Sequence, residues 1–375
     1  MSNIRALFNY PESQRYLLTH SIGLMPSSTQ NAFEQHYFQP WSAASEDIWS
    51  HWLSSIDGFN QSLAGLLNSK AEQFCPQVNV SSGLTKVLGA LPKNPSKNVI
   101  LATESDFPSV GFVLKQAERL GFKLKLIPKD QDVQSLATWE SALSNDVYAV
   151  LITQVHYNTN LLAPVESIAE VCRSKGIVSI VDAAQGLGIV PIDLSQPYCD
   201  ILIGSCIKWL GGGAGAGFLW LDKNIIDQFE PIDVGWFSHQ NPFEFDINNF
   251  EYADNASRFW GGTPSVAPYV TASNSIKLLD EIGIPTIAEH NRNLTAKLLD
   301  NIAEPNIISP KDLAKKGGTV VLKFAKQGAL EKRLRGHWFL FDSRQYGLRL
   351  SPHIYTSDND IEQLIECIDE HTKLD

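Results

Sequence analysis

No run of apolar residues in this 375-residue chain reaches the ~18 that a membrane-spanning helix needs. Residues 1–16 lack the basic-then-apolar pattern of a secretory leader. Cysteine is scarce and unpaired: Cys75, Cys172, Cys199, Cys206 and Cys367 are an odd number with no CxxC spacing. That argues against a disulfide framework and a structural zinc, and for a reducing compartment. Positive charge is in deficit too, 30 basic residues against 41 acidic ones, for a formal net charge of −11. Nucleic acid and anionic membrane are thereby disfavoured as partners, while a small anionic ligand at a local site is not. Internal repeats and low-complexity linkers are missing. These absences predict a soluble, cytoplasmic, metal-free protein.

What is present suits a globular enzyme: 43% hydrophobic and 19% charged residues. The length allows about two domains at ~100–200 residues each. Strand-like stretches at 98–102, 123–127, 147–153, 177–181, 201–203 and 217–221 alternate with helical patterns. Such alternation predicts an α/β fold, a mostly parallel sheet with helices on both faces. Pro164 is expected at the first position of a helix running to Lys175. Helices are also expected over 30–38 and 56–69. After a helix over 266–282, shorter strands (319–324, 338–342 and one carrying Arg349) alternate with helices at 287–301, 329–334 and 359–371, which predicts a smaller α+β unit.

The chemistry concentrates in one stretch. Val181-Asp182-Ala183-Ala184-Gln185 ends an apolar strand on a carboxylate. Ile201 to Ile203 leads through Cys206 and Ile207 to Lys208, followed by a glycine run from Gly211 to Gly217. In open α/β sheets, ligands sit beyond the carboxyl ends of the strands. An acid and an amine delivered there are what pyridoxal phosphate requires: the lysine forms a Schiff base and the carboxylate keeps the ring nitrogen protonated. Upstream, Ser81 and Ser82 open an apolar-periodic helix, a start that offers N–H groups to a phosphate. Residues 231–268 form a long aromatic and glycine-rich stretch of the kind that often carries function.

Together these motifs resemble the class V aminotransferase superfamily, within fold type I of the pyridoxal phosphate enzymes. Val181-Asp182-Ala183-Ala184-Gln185 and Val190-Pro191-Ile192-Asp193-Leu194-Ser195 resemble cysteine desulfurases. Thr19-His20-Ser21-Ile22-Gly23-Leu24, Phe107-Pro108-Ser109, Lys208-Trp209-Leu210, Val234-Gly235-Trp236-Phe237-Ser238-His239 and Leu348-Arg349-Leu350-Ser351-Pro352 resemble kynureninases. The resemblance implies a large domain (51–280) with a seven-stranded, mostly parallel sheet. It also implies a small α+β domain built from an N-terminal arm (1–50) and residues 281–375. It gives Lys208 and Asp182 the catalytic roles, Gln185 a bond to the cofactor's phenolic oxygen, and Phe107 a stacking position. Ser81 and Ser82 would hold the phosphate, with Thr153 near the ring or phosphate. Trp236 and Thr263 would reach it from the other subunit of a homodimer, and Arg349 would take the carboxylate of an amino acid substrate. The implied activity is kynureninase-like; the alternatives are transamination, a desulfurase or selenocysteine lyase-like reaction, or a binding protein that lost catalysis. Four positions depart from kynureninases: Gln185 stands where they carry His, Ile207 where they carry Tyr, Val110 where they carry Asp, and Thr263 where they carry Asn. Cys206 is expected to be a buried structural thiol rather than a nucleophile, and Cys367 a weaker candidate still.

Overall fold

The computed structural model describes residues 2–44, 46–92 and 94–373. Seven strands form one sheet: β1 (Phe74–Gln77), β2 (Val99–Thr103), β3 (Lys123–Ile127), β4 (Val147–Thr153), β5 (Val178–Asp182), β6 (Ile201–Ser205) and β7 (Gly217–Leu221). Their order is β1-β7-β6-β5-β4-β2-β3. Strands β2 to β6 pair in parallel, whereas β7 runs antiparallel to both β6 and β1. The sequence pattern does not reveal β1, which contains Pro76. Proline cannot donate to a ladder, so such a strand belongs at a sheet edge, where this one lies.

The central strands are buried on both faces, as their near-continuous aliphatic runs require. One face packs Phe59, Trp139, Phe218 and Trp220; the other packs Leu84, Leu219, Phe229 and Phe259. Each such side chain contributes about 1.5–3 kcal/mol on burial.

The principal helices are α1 (Ile48–Leu66), α2 (Val80–Ala90), α3 (Pro108–Gln116), α4 (Leu136–Ala142), α5 (Val165–Ser174), α6 (Ala267–Ile282), α7 (Ile284–Asp300), α8 (Gln327–Gly336) and α9 (Asp358–Thr372). Three local expectations need correction. Pro164 is the N-cap of α5 rather than its first helical residue. The helix expected over 30–38 changes to π-helical geometry from Glu34 to Phe38. Helix α1 takes in Trp49 and Trp52, which pack edge-to-face within it, and ends at Leu66 rather than at residue 69. Among the described residues no helix is long and apolar enough to cross a membrane.

Three further strands, β8 (Val320–Leu322), β9 (Asp342–Arg344) and β10 (Gly347–Leu350), form an antiparallel sheet in the order β9-β10-β8. Its core gathers Leu294, Leu298, Leu330, Leu348, Ile361 and Leu364. Leu17 joins that core from far upstream. Arg15–Tyr16 pairs in parallel with Phe339–Leu340, and Leu18 bridges to Ser351. The single strand expected over 338–342 is therefore two pieces, one pairing with the arm and one with β10. Ser357 caps α9: its backbone N–H donates to Asp360 Oδ2 at 2.8 Å, and its hydroxyl accepts from the Asp360 N–H at 3.2 Å.

Candidate active site

Asp182 is the last residue of β5, level with Thr153 on β4 and Ile203 on β6. Lys208 is not at a strand end, as its place in the sequence suggests. Strand β6 stops at Ser205, and a turn through Cys206 and Ile207 brings the lysine forward. That turn is held by backbone bonds from Gly211 to the Lys208 carbonyl (2.9 Å) and from Gly212 to the Cys206 carbonyl (2.7 Å). Gly211 and Gly213 have φ of 59° and 78°, a region that disfavours side chains.

The arm closes over the same turn. The Gly23 N–H donates to the Ile207 carbonyl at 2.8 Å. A Cβ at Gly23 would lie 2.1 Å from the Lys208 carbonyl oxygen. Gly23→Ala is therefore expected to shift the lysine backbone and lower cofactor occupancy. Absorbance of the reconstituted protein above 380 nm would report this, and unchanged occupancy would show that the arm is free to move aside.

Lys208, Asp182, Gln185, Phe107, Ser81 and Thr153 line one cleft of about 400 Å³, within the ~300–1,000 Å³ typical of small-ligand sites. Asn79, Ser109, Val110, Tyr157 and Ser205 line it too. The Lys208 amine stands 5.9 Å from the Phe107 ring centre. Burial lowers its pKa and the Arg349 charge adds to this, while Asp182 opposes both. Burial raises the pKa of Asp182, against a bond from the Ala184 N–H (2.9 Å) and the nearby Lys208 charge. Gln185 donates through Nε2 to the His20 carbonyl at 3.2 Å.

Four expected site residues lie outside this lining. Ser82 gives its N–H to the Asn79 side chain at 2.9 Å, the cap of α2. Trp236 packs among Trp49, Phe237, Phe243 and Phe245, with ring centres 4.3–5.8 Å away. Thr263 is exposed. Arg349 is buried just behind the cleft, where its Nη1 donates to the carbonyl of Tyr157 at 2.9 Å. Asn79 and Tyr157 are lining residues that the sequence motifs do not single out. One signal could have found Asn79, because asparagine at the start of an apolar-periodic helix is a strong N-cap pattern; Tyr157 lies in a turn beyond β4, where periodicity gives no signal. All five cysteines are buried, and burial raises the Cys206 thiol pKa well above its usual range. Among the described residues no cluster of histidine, cysteine or carboxylate side chains is arranged to hold a metal.

A desolvated amine facing a buried carboxylate beyond adjacent parallel strands, with hydroxyls and the start of α2 in the same cleft, suits pyridoxal 5'-phosphate in charge and donor set. This is a pyridoxal-phosphate-dependent enzyme of fold type I. Residues 74–331 match the class-V aminotransferase family, and the chain belongs to it. An uncharacterized aminotransferase of Bacillus subtilis, YcbU, is 26% identical over 96% of this chain and 97% of its own length. A kynureninase of Deinococcus radiodurans is 27% identical over 85% of this chain and 80% of its own. The cysteine desulfurase of Thermococcus onnurineus superposes with a TM-score of 0.87 at 19% identity, covering 99% of this chain and 98% of that one. A lysine variant of C-DES, carrying glycine covalently linked to its cofactor, also gives 0.87 at 20% identity, covering 96% and 98%.

Proposed function

We propose that the enzyme cleaves a Cβ bond in an amino acid with an uncharged side chain, by the hydrolytic reaction of kynureninases. The observation that carries this reading is the cleft lining: Lys208 and Asp182 are its only charged side chains. The rest is neutral, with Phe107 and Tyr157 edge to face, ring centres 5.1 Å apart. An acidic substrate side chain would find no counter-ion in this lining, whereas an aryl or acyl group would find an aromatic wall.

Lys208 would take the Cα proton; burial disfavours its charged form and so favours the free amine that a base requires. Asp182 would hold the positive charge of the ring nitrogen, and Gln185 has a second amide N–H to give the phenolic oxygen. When bound, the cofactor supplies a ring that stores the electron pair left at Cα. Phe107 would stack on that ring, and Ser81, Ser82 and Thr153 would contact its phosphate or ring edge. Trp236 and Thr263 would do so from a second copy in a homodimer. Arg349 would orient the substrate carboxylate. Water then adds to the side-chain carbonyl, the Cβ–Cγ bond breaks, the acyl part leaves as a carboxylic acid, and Cβ gains a proton to give alanine.

Transamination is the second reading. YcbU is described as an aminotransferase and aligns with 96% of this chain. The kynureninase Asp is here Val110, a buried wall of the cleft. The desulfurase reading lacks a mobile cysteine, since every cysteine is buried. Holoenzyme given L-kynurenine should release fluorescent anthranilate. Anthranilate absent, with pyruvate formed from L-alanine and a 2-keto acid, would instead establish the transaminase.

A further inference from the structure

Arg349 does not stand free for a ligand. It lies directly across β9 and β10 from Asp342, its register partner. The tight connection sets that register by pairing Arg344 with Gly347, whose φ is 127° and whose place against the Leu322 carbonyl of β8 leaves no room for a Cβ. Arg349 Nε donates to Asp342 Oδ1 at 2.7 Å, and Nη2 donates to Oδ2. Nη1 donates to the Tyr157 carbonyl. Asp342 also meets His20 Nε2 at 3.0 Å and Arg344 Nε at 3.3 Å. His20 in turn contacts Ser351 Oγ at 2.6 Å, and its carbonyl accepts from Gln185.

A guanidinium carries five N–H donors. Asp342 takes the pair along the Nε–Nη2 edge and Tyr157 takes one more, so one N–H on each terminal nitrogen remains. The Nη1–Nη2 end of the fork is thus the bidentate edge that Asp342 does not occupy. We propose that Asp342 is a positioning residue that clamps Arg349 edge-on, so that the end of the fork, and not the whole side chain, reads the substrate carboxylate. This rests on the reading of Arg349 given above and adds a specificity determinant to it. A pre-oriented fork discriminates sharply between a carboxylate and a neutral amide, because the amide cannot accept two parallel bonds. A loose fork does so less.

The test is binding of L-alanine and L-alaninamide to the holoenzyme, followed by the change in its visible spectrum. Asp342→Ala should weaken alanine about 10–100-fold, the usual effect of removing a group that orients a ligand-binding one. It should change alaninamide less than about threefold and leave cofactor occupancy intact. Asp342→Asn keeps one acceptor and should recover part of the loss, which a purely structural role would not predict. Equal losses for acid and amide, or no loss for either, would overturn the proposal; if the alanine variant does not fold, the asparagine variant decides on the same two ligands. Arg349→Lys separates the two ideas. If it leaves the acid-over-amide preference intact, the reading of Arg349 is wrong. If it removes the preference while both Asp342 variants keep it, only the clamp is wrong.

Discussion

Lys208→Ala is expected to reduce turnover by more than about 10³-fold, since the variant loses both the covalent attachment point and the base for the Cα proton. The cofactor should then be held without a bond to the chain and dialyse away more readily than from the parent. The protein holds another candidate amine. Lys316 is buried, with burial lowering its pKa to about 7, and its Nζ donates to the Gly317 carbonyl at 2.9 Å. Burial lowers the pKa of both lysines, so titration does not tell them apart. Geometry separates them, because only Lys208 lines the cleft with Asp182. After borohydride reduction of the holoenzyme, peptide mass spectrometry should place the added mass on Lys208. Mass on Lys316 instead, or turnover surviving in Lys208→Ala, would remove the chemical basis of the assignment.

Asp182→Asn is expected to lower kcat/KM by about 10²–10⁴-fold. The amide keeps the shape and an oxygen for the Ala184 N–H, now at 2.9 Å from the carboxylate. What it loses is the charge that would hold a proton on the ring nitrogen. The apoprotein should respond in the opposite sense. Burial raises the Asp182 pKa above its unfolded value of about 3.9. Across the interval between those two values the folded state keeps a proton that the unfolded state releases. Stability from this group therefore falls as pH rises through the interval, and above it the buried carboxylate is a cost. Asp182→Asn should thus be as stable as the parent apoprotein or more so at pH 7, while catalysis collapses. Loss of both together would mean that the carboxylate is a folding element.

Much of the site is legible in the order of residues alone. The amine, the carboxylate and the parallel sheet follow from apolar runs that end in Asp182 and lead to Lys208. Phe107, Gln185, Ser81 and Thr153 are placed by resemblance and fall in the same cleft. What stays hidden depends on contacts between distant segments. Strand β1 exists because Phe74–Gln77 finds β7 at the sheet edge, not because its residues favour a strand. The division of 338–342 into two pairings depends on the arm arriving beside Phe339. Asp342 looks like one surface acid among many until the hairpin sets it opposite Arg349. Periodicity reports which face a residue takes, and it is silent about which remote backbone will satisfy its polar groups.

The arm has a consequence for how the enzyme is made. Leu17 receives a backbone bond from Ser351 and gives one to Leu340, while Gly23 bonds to the Ile207 carbonyl beside the lysine. Leu17 thus acquires its partners only when segments translated much later emerge from the ribosome. The large sheet has all its strands by Leu221, so it is free to assemble during synthesis, domain by domain. The cofactor cleft, lined wholly from residues 79–208, shares that early assembly, whereas Arg349 on β10 joins it only when later segments emerge.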